Sequence, residues 1–261
     1  MTRGLFPALL VASTAITLVF LGLPVVAIFL SISPGELISS LGDGAAIDAL
    51  RLSLFTSLAA LLLILAFGTP TAWLLATRRF RGRSAAITIV ELPLIVPPAV
   101  AGIGLLAALG PNGLAGGLLD DAGIRLVLET SGVIVALTFV SSPFYVRQAV
   151  AAFESLDSRM LEASRSLGAS EARTLLRVAL PLARPALIAG AALAWGRAIG
   201  EFGATLVFAG SFRNVTQTAP LAIYERFSTD FNSALALSAV LVLAGGGILL
   251  GVKLFGEARA R

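Results

Sequence analysis

The sequence predicts an all-α fold: a polytopic membrane protein with six transmembrane helices and one structured cytoplasmic loop. Two observations lead to this prediction. Of the 261 residues, 57% are hydrophobic and 13% are charged, about half the ~25% charged residues of soluble domains, and the mean hydropathy is +0.94. In addition, several apolar runs reach the ~20 residues that a helix needs to cross a membrane. We therefore predict a single membrane domain over residues 1–261.

The chain contains no Cys and no His. Disulfides, thiol nucleophiles and the usual zinc, iron–sulfur and haem sites are therefore excluded. We predict no catalytic residue, no metal site and no cofactor held by this chain. Ser141 and Ser142 do not change this expectation, because no His is available as a general base and Pro143 follows them.

Six apolar segments are candidate spans. The first begins like a signal peptide, but it is longer than the apolar region of one, so we predict an uncleaved span. The third contains three prolines, and the fifth contains two charged residues. The predicted bounds are about Leu5–Ile32, Leu52–Thr77, Ala85–Leu109, Ser131–Val150, Pro185–Ala209 and Phe231–Leu254.

The basic residues divide the connections into two sets. Fourteen of the 19 Arg and Lys residues lie in the N-terminus, residues 78–83, residues 147–184 and the C-terminal tail, and only four lie in the other loops. Cytoplasmic loops carry such an excess of basic residues. We therefore predict a multi-pass protein of the plasma membrane with both termini in the cytoplasm. Residues 33–51, 110–130 and 210–230 are predicted to face outward, and the first of these begins with a turn-like Ser33-Pro34-Gly35.

Residues 151–184 form the one large cytoplasmic segment, and their caps predict two helices. The first helix runs to Leu167, and the second follows after a short turn. Spacing alone allows either a solvated loop or a docking helix for a partner. The predicted caps are Asp157 or Ser158 and then Ser170, and the predicted ends are Gly168 and Leu180-Pro181, where the second helix ends or kinks.

This segment resembles the EAA motif of ABC-importer permeases, which reads E-A-A-x3-G-x9-I-x-L-P. Glu162-Ala163-Ser164 is followed after three residues by Gly168 and after nine more by Val178-Ala179-Leu180-Pro181. Ser164 replaces Ala and Val178 replaces Ile. The resemblance implies the type I ABC-importer permease fold, in which this loop is the coupling helix that contacts the ATPase. The implied coupling residues are Glu162, Ala163, Ser164, Gly168, Leu180 and Pro181.

The same resemblance implies the partners. They are two cytoplasmic ATP-binding subunits, an external substrate-binding protein and a second copy of this chain in a homodimer. Membrane lipid surrounds the spans of this chain. ATP and Mg²⁺ would be held by the partner ATPase, since this chain lacks the G-x-x-x-x-G-K-[ST] sequence that cradles phosphates. A nucleic-acid partner is not expected, because the arginines are explained by topology.

A second resemblance concerns the substrate. Residues 196–205 (GRAIGEFGAT), 208–210 and 216–224 (TQTAPLAIY) look like the molybdate/tungstate branch of these permeases, and residues 93–98 and 139–143 fit the same branch. Sulfate permeases are similar but tend to carry Tyr at the position of Phe202. The resemblance spans most of residues 52–255 and implies ATP-driven import of molybdate or tungstate, with sulfate or thiosulfate as the alternative.

Two features indicate where the translocation path lies. Arg197 and Glu201 are charges inside a span, where each costs ~2.5–3.5 kcal/mol. At i,i+4 they can pair, either as a structural ion pair or as part of the path. The prolines of the third span free carbonyls that must face protein or water. We assign these residues to the path: Pro97, Pro98, Arg197, Glu201, Phe202 and Thr205.

Two other classes of protein are weighed against this prediction. A secondary transporter could use Glu201 as an ion-coupling carboxylate, but the EAA-like loop would then be unexplained. A carboxylate-based membrane enzyme would need two acids on one face, whereas Glu91 and Glu201 belong to different ends of the membrane.

Overall fold

The computed structural model describes residues 5–258 and is built from helices. Arg3 and residues 259–261, which contribute to the predicted topology, lie outside the described residues. The helices, in chain order, are α1 (Leu5–Leu30), α2 (Pro34–Gly42), α3 (Gly44–Thr77), α4 (Arg83–Ile95), α5 (Pro98–Leu109), α6 (Gly116–Asp121), α7 (Thr130–Glu154), α8 (Ser158–Ser166), α9 (Glu171–Ile199), α10 (Gly203–Ala209), α11 (Ala219–Thr229) and α12 (Phe231–Ala258).

Four of these helices are long and apolar enough to cross a membrane: α1, α3, α7 and α9. The number becomes five if α4 and α5 count as one broken span, while the described apolar part of α12, Phe231–Gly247, is shorter than a span. The all-α membrane architecture is therefore confirmed, and the number six stays a prediction.

The third predicted span, Ala85–Leu109, is not one helix. The chain bends by 120° between α4 and α5. Pro97 and Pro98 stand together at this point, and two consecutive prolines remove two backbone donors. Pro93, by contrast, lies inside α4 without ending it.

The fifth predicted span, Pro185–Ala209, is also wrong as a continuous helix. α9 begins at Glu171, well before Pro185, and ends at Ile199. After a break at residues 200–202, the seven-residue α10 begins at Gly203. The break lies between two glycines, Gly200 and Gly203, and glycine has low helix propensity.

The core of the bundle is formed where α3, α7 and α9 pack together. One hydrophobic cluster joins Ile64, Tyr145 and Leu187 from these three helices. Gly68 allows the close approach of α3 to α7, since a Cβ there would lie 3.0 Å from the Val146 side chain. The hydroxyl groups of Thr69 and Tyr145 are 2.7 Å apart across the same contact. These three helices therefore form the central bundle against which the broken helices and the α8 loop pack.

Candidate coupling loop and translocation path

The α8 segment is capped as the sequence predicts. The Asp157 side chain accepts a hydrogen bond from the Arg159 backbone N–H at 2.9 Å and starts α8. Gly168 has φ +79°, a left-handed conformation that favours glycine. The Ser170 hydroxyl then accepts from the Arg173 N–H at 3.3 Å and starts α9. The segment is therefore a short helix, a glycine stop and a second helix.

The predicted coupling residues on α8 differ in exposure. The neighbouring Leu161 is buried against the bundle, whereas Glu162 and Ala163 are exposed. Ser164, where the EAA motif has Ala, lies 3.0 Å from the hydroxyl of buried Thr174 at the start of α9. This contact joins the two helices across the glycine stop. It explains why a hydroxyl is accommodated at this position.

Leu180 and Pro181 do not end the second helix. The helix instead makes one π-helical turn over Leu175–Ala179 and continues to Ile199. The Leu180 N–H donates to the Leu175 carbonyl, five residues back. A π turn shifts the backbone hydrogen bonds from i→i−4 to i→i−5. The shift comes directly before Pro181, which has no N–H to donate to the preceding turn.

Two ion pairs hold the α8 end of the bundle together. A terminal nitrogen of Arg78 lies 2.7 Å from the Glu171 carboxylate, and one of Arg83 lies 2.6 Å from the Glu154 carboxylate. The hydrogen bond from Arg78 lowers the pKa of Glu171 and correspondingly raises the pKa of Arg78. Between the loop 78–83 and α8 lies a cavity of about 430 Å³, and the Glu162 side chain is part of its lining.

Arg197 and Glu201 form the predicted ion pair, but not along one helix. The Arg197 Nη2 lies 2.5 Å from one carboxylate oxygen of Glu201, across the end of α9. The other carboxylate oxygen accepts from the Ala204 N–H at 2.8 Å and so caps α10. Glu201 is 1% exposed and Arg197 is 28% exposed. Glu201 therefore connects the two sides of the break.

The other predicted path residues lie around this break and differ in exposure. Thr205 is fully buried, whereas Pro97 and Pro98 are exposed. Pro98 contacts the start of α10, where a Cβ on Gly203 would lie 2.9 Å from the Pro98 Cβ. The broken helices α5 and α10 are thus packed directly against each other.

Phe202, the residue that separates the two substrate branches in the sequence, also lies at this break. Its ring packs against the ring of Tyr224 on α11, with the centroids 4.9 Å apart. The two aromatic residues therefore link the break between α9 and α10 to the helix that follows.

A second charge pair, which joins two helices, was missed by the sequence assignment. The Arg147 Nε on α7 lies 3.1 Å from a carboxylate oxygen of Glu91 on α4, and the two side chains are 61% and 35% exposed. Arg147 counted in the sequence only as a topology signal, and Glu91 only as an isolated acid. Their contact could be found only once the packing of α4 on α7 was known.

The contacts of Glu201 and Glu91 argue against both other classes of protein, the secondary transporter and the carboxylate-based membrane enzyme. Both carboxylate oxygens of Glu201 are engaged by protein groups, so a coupling ion would have to compete with Arg197 and with the Ala204 N–H. Glu91 of α4 pairs with Arg147 of α7, and Glu201 pairs with Arg197. Each acid therefore has its own basic partner, and the two do not form the acid pair that a membrane enzyme would need. Across residues 5–258, no group of three or more Asp or Glu residues is placed to hold a metal ion.

The class of protein follows from comparison with known families. Residues 68–252 match the family described as "Binding-protein-dependent transport system inner membrane component". The chain belongs to this family of ABC-importer permeases and is a multi-pass membrane protein. The expectation of a transporter subunit, with ATP hydrolysis left to another chain, agrees with this membership.

Individual relatives show which permeases within this family the chain is similar to. The chain is 38% identical over 94% of its length to the "Probable transport system permease protein NifC" of Clostridium pasteurianum, covering 86% of that protein. It is 39% identical over 90% of its length to the "Molybdenum transport system permease protein ModB" of Mycobacterium tuberculosis, covering 89% of it. The "Sulfate transport system permease protein CysW" of Synechococcus elongatus is 34% identical over 85% of this chain and 78% of its own length.

Solved structures share the fold. A chain of a bacterial alginate ABC transporter, in complex with its alginate pentasaccharide-bound periplasmic protein, superposes with a TM-score of 0.75 at 19% identity, covering 98% of this chain and 94% of that chain. A chain of the inward-facing MetNI methionine ABC transporter superposes with a TM-score of 0.66, covering 82% and 96%. The type I ABC-importer permease fold is therefore confirmed.

Proposed function

We propose that this chain is the permease subunit of an ATP-driven importer for molybdate or tungstate. The observation that carries the proposal is the capped α8 loop, with its exposed Glu162 and its glycine stop, in a chain 39% identical to a molybdenum permease. A compact helix with a fixed stop can be displaced as one body by a partner, which is what coupling to an ATPase requires.

In this proposal the α8 loop contacts a cytoplasmic ATPase. Glu162 and Ala163 lie on its free face, Ser164 joins it to α9, and Gly168 sets its end. The ion pairs at Arg78 and Arg83 connect the neighbouring loop to the same end of the bundle. Movement of α8 would therefore reach α9 and the break at residues 200–202 through hydrogen-bonded and packed groups. Leu180 and Pro181 act in this transmission through the π turn.

We further propose that two copies of the chain enclose the path. α4 has no buried residue, and the first residues of α5 are also exposed. One copy therefore leaves the prolines at the α4–α5 break open, and a second copy would complete the enclosure. Two ATP-binding subunits with ATP and Mg²⁺ on the cytoplasmic side, and an external binding protein, complete the importer. In this proposal both termini lie in the cytoplasm, as the distribution of arginines predicts.

The coupling role is tested with two glycine variants of equal backbone strain. Gly168 and Gly123 have φ +79° and +70°, and a Cβ on either meets nothing within 4 Å. Gly168→Val should abolish oxyanion uptake by the reconstituted importer while ATP hydrolysis continues, and so should Glu162→Lys. Gly123→Val, in a loop predicted to face outward, should leave uptake coupled. Equal loss in both glycine variants would refute the coupling assignment.

The substrate is tested by competition. Uptake of molybdate by vesicles containing the complete importer should be inhibited by tungstate at equimolar concentration and much less by sulfate. Sulfate is the second candidate because the chain is also 34% identical to a sulfate permease. Stronger inhibition by sulfate than by tungstate would replace the proposed substrate with sulfate.

A further inference from the structure

Glu91 and Arg147 lie within the predicted third and fourth spans, Ala85–Leu109 and Ser131–Val150, where exposed charges need water. Arg147 is seven residues from the end of α7 at Glu154, which corresponds to ~10 Å along the helix axis. Glu91 lies eight residues, or ~12 Å, from the start of α4 at Arg83. Both side chains retain substantial exposure. Intramembrane charges face a protein interior or a water-filled cavity, because lipid does not solvate them.

Arg147 does not reach away from Glu91. An arginine near a helix end can extend its side chain towards the membrane–water interface, but the Arg147 Nε lies 3.1 Å from a Glu91 carboxylate oxygen. Beside the pair lies a cavity of about 290 Å³ between α4 and α7, lined in part by Val90, Val146 and Val150. That volume is many times the ~10–15 Å³ that holds one water molecule. The face therefore has room for water and for a small anion.

The two arginines that line this cavity differ in what their nitrogens do. The Arg83 Nε donates to the Leu75 carbonyl at 2.7 Å, and its terminal nitrogen donates to Glu154. Arg147 contacts Glu91 through Nε, and within the described residues its two terminal nitrogens make no hydrogen bond. A guanidinium with free terminal nitrogens offers the planar donor geometry that suits an oxyanion.

From these observations we infer that the Glu91–Arg147 face of α4 and α7 lines the aqueous inner half of the path, and that Arg147 contacts the oxyanion there. The inference rests on the proposed function for the identity of the anion. Glu91 serves to offset the charge of Arg147, because an uncompensated cation would bind a divalent anion too tightly to release it.

Cysteine accessibility tests the inference, since the chain has no native Cys. Arg147→Cys in the complete importer, in inside-out vesicles, should react with a membrane-impermeant thiol reagent. In Val150→Cys, which lies in the same cavity and keeps Arg147, molybdate at about ten times its dissociation constant should slow the reaction about tenfold, because the free fraction falls by that factor. Ile16→Cys on α1, which is 69% exposed but predicted to face lipid, is the matched control and should not react.

Two further measurements keep the test decisive. The double variant Arg147→Gln, Val150→Cys should lose this protection, because the arginine that contacts the oxyanion is gone. Arg147→Gln should lower uptake, and Arg147→Lys should restore part of it. A cysteine that stays unreactive at either position, or a Val150→Cys variant that reacts at the same rate with and without the oxyanion, overturns the inference. Failure of the proposed substrate would show differently, as absent molybdate uptake by the wild-type importer while the Arg147→Cys variant still reacts with the reagent.

Discussion

The contact between α5 and α10 leads to a testable prediction, because it depends on the absence of a side chain at Gly102. Gly102 on α5 faces α10, and a Cβ there would lie 2.7 Å from the Val207 Cβ and 2.9 Å from the Ala204 carbonyl oxygen. Non-bonded carbon atoms prefer ~3.5–4.0 Å. Gly102→Ala would therefore force the two helices apart by about 1 Å or deform one of them.

The magnitude follows from two opposing terms. Overpacking a well-packed contact costs ~1–3 kcal/mol, whereas replacing a helical glycine by alanine gains ~0.5–1 kcal/mol. Gly102→Ala should thus destabilise the protein by up to ~2.5 kcal/mol. Gly104 lies two residues further along the same helix, and a Cβ there meets nothing within 4 Å. Gly104→Ala should gain the propensity term alone, so the two variants should differ in sign.

Thermal unfolding of the purified protein in detergent measures the difference. For a chain of this size, 1 kcal/mol corresponds to ~2–4 °C in Tm. Gly102→Ala should therefore unfold several degrees below Gly104→Ala, which should match or exceed the wild type. A Gly102→Ala variant as stable as Gly104→Ala would show that α5 and α10 are not in contact at this point.

Three other predictions concern the charged groups and the topology. Removing either Arg197 or Glu201 should lower uptake, and the double variant Arg197→Ala, Glu201→Gln should recover more than the single losses predict, by ~0.5–3 kcal/mol of coupling in a double-mutant cycle; strict additivity would contradict the pair. Cysteines introduced at Ser170 and Arg213, both exposed, should report opposite sides, with an impermeant reagent labelling only the second in intact cells. The lowered pKa of Glu171 stabilises the fold at pH values above its ordinary value of 4.5, and this contribution is lost as the pH falls through the lowered pKa; the stability difference between wild type and Glu171→Gln should therefore be present at pH 7 and vanish in acid.

The α8 loop could be predicted in detail because its signals are local. Asp157, Gly168 and Ser170 each act within three residues along the chain, through a cap or a positive φ. The start of α2 had an equally local signal that the turn prediction missed. Ser33 and Glu36 exchange hydrogen bonds in a capping box, so the Ser33-Pro34-Gly35 segment opens a helix.

The broken helices could not be placed from composition. Prolines lie inside several continuous helices, for example Pro70 in α3 and Pro143 in α7. Only at Pro97-Pro98 do two adjacent residues lack N–H groups. The fifth span has no proline at its break. Gly200 follows the end of α9 there, and Glu201 caps the next helix by accepting the Ala204 N–H. Hydropathy does not distinguish a straight helix from two packed fragments.

Only one of the two charge pairs could be predicted from the sequence, because only one is formed by residues close together in the chain. Arg197 and Glu201 are four residues apart, and this spacing brings them together even though the helix ends between them. Glu91 and Arg147 are 56 positions apart in sequence, and α4 packed on α7 is what joins them. No local rule connects such residues.

The two pairs differ in a way that bears on how an anion would pass. Glu201 is buried, with both oxygens engaged, so its role is to fix the geometry of the break and to hold Arg197 beside it. The Glu91–Arg147 pair is open to its surroundings and leaves donors free. Each arginine has a carboxylate within contact distance, which reduces the net charge that a divalent anion would meet. In the proposed importer, a path of this kind would neither repel nor trap the anion. In the proposed importer, the break at residues 200–202 would supply shape and the Glu91–Arg147 face would supply the exchangeable contact.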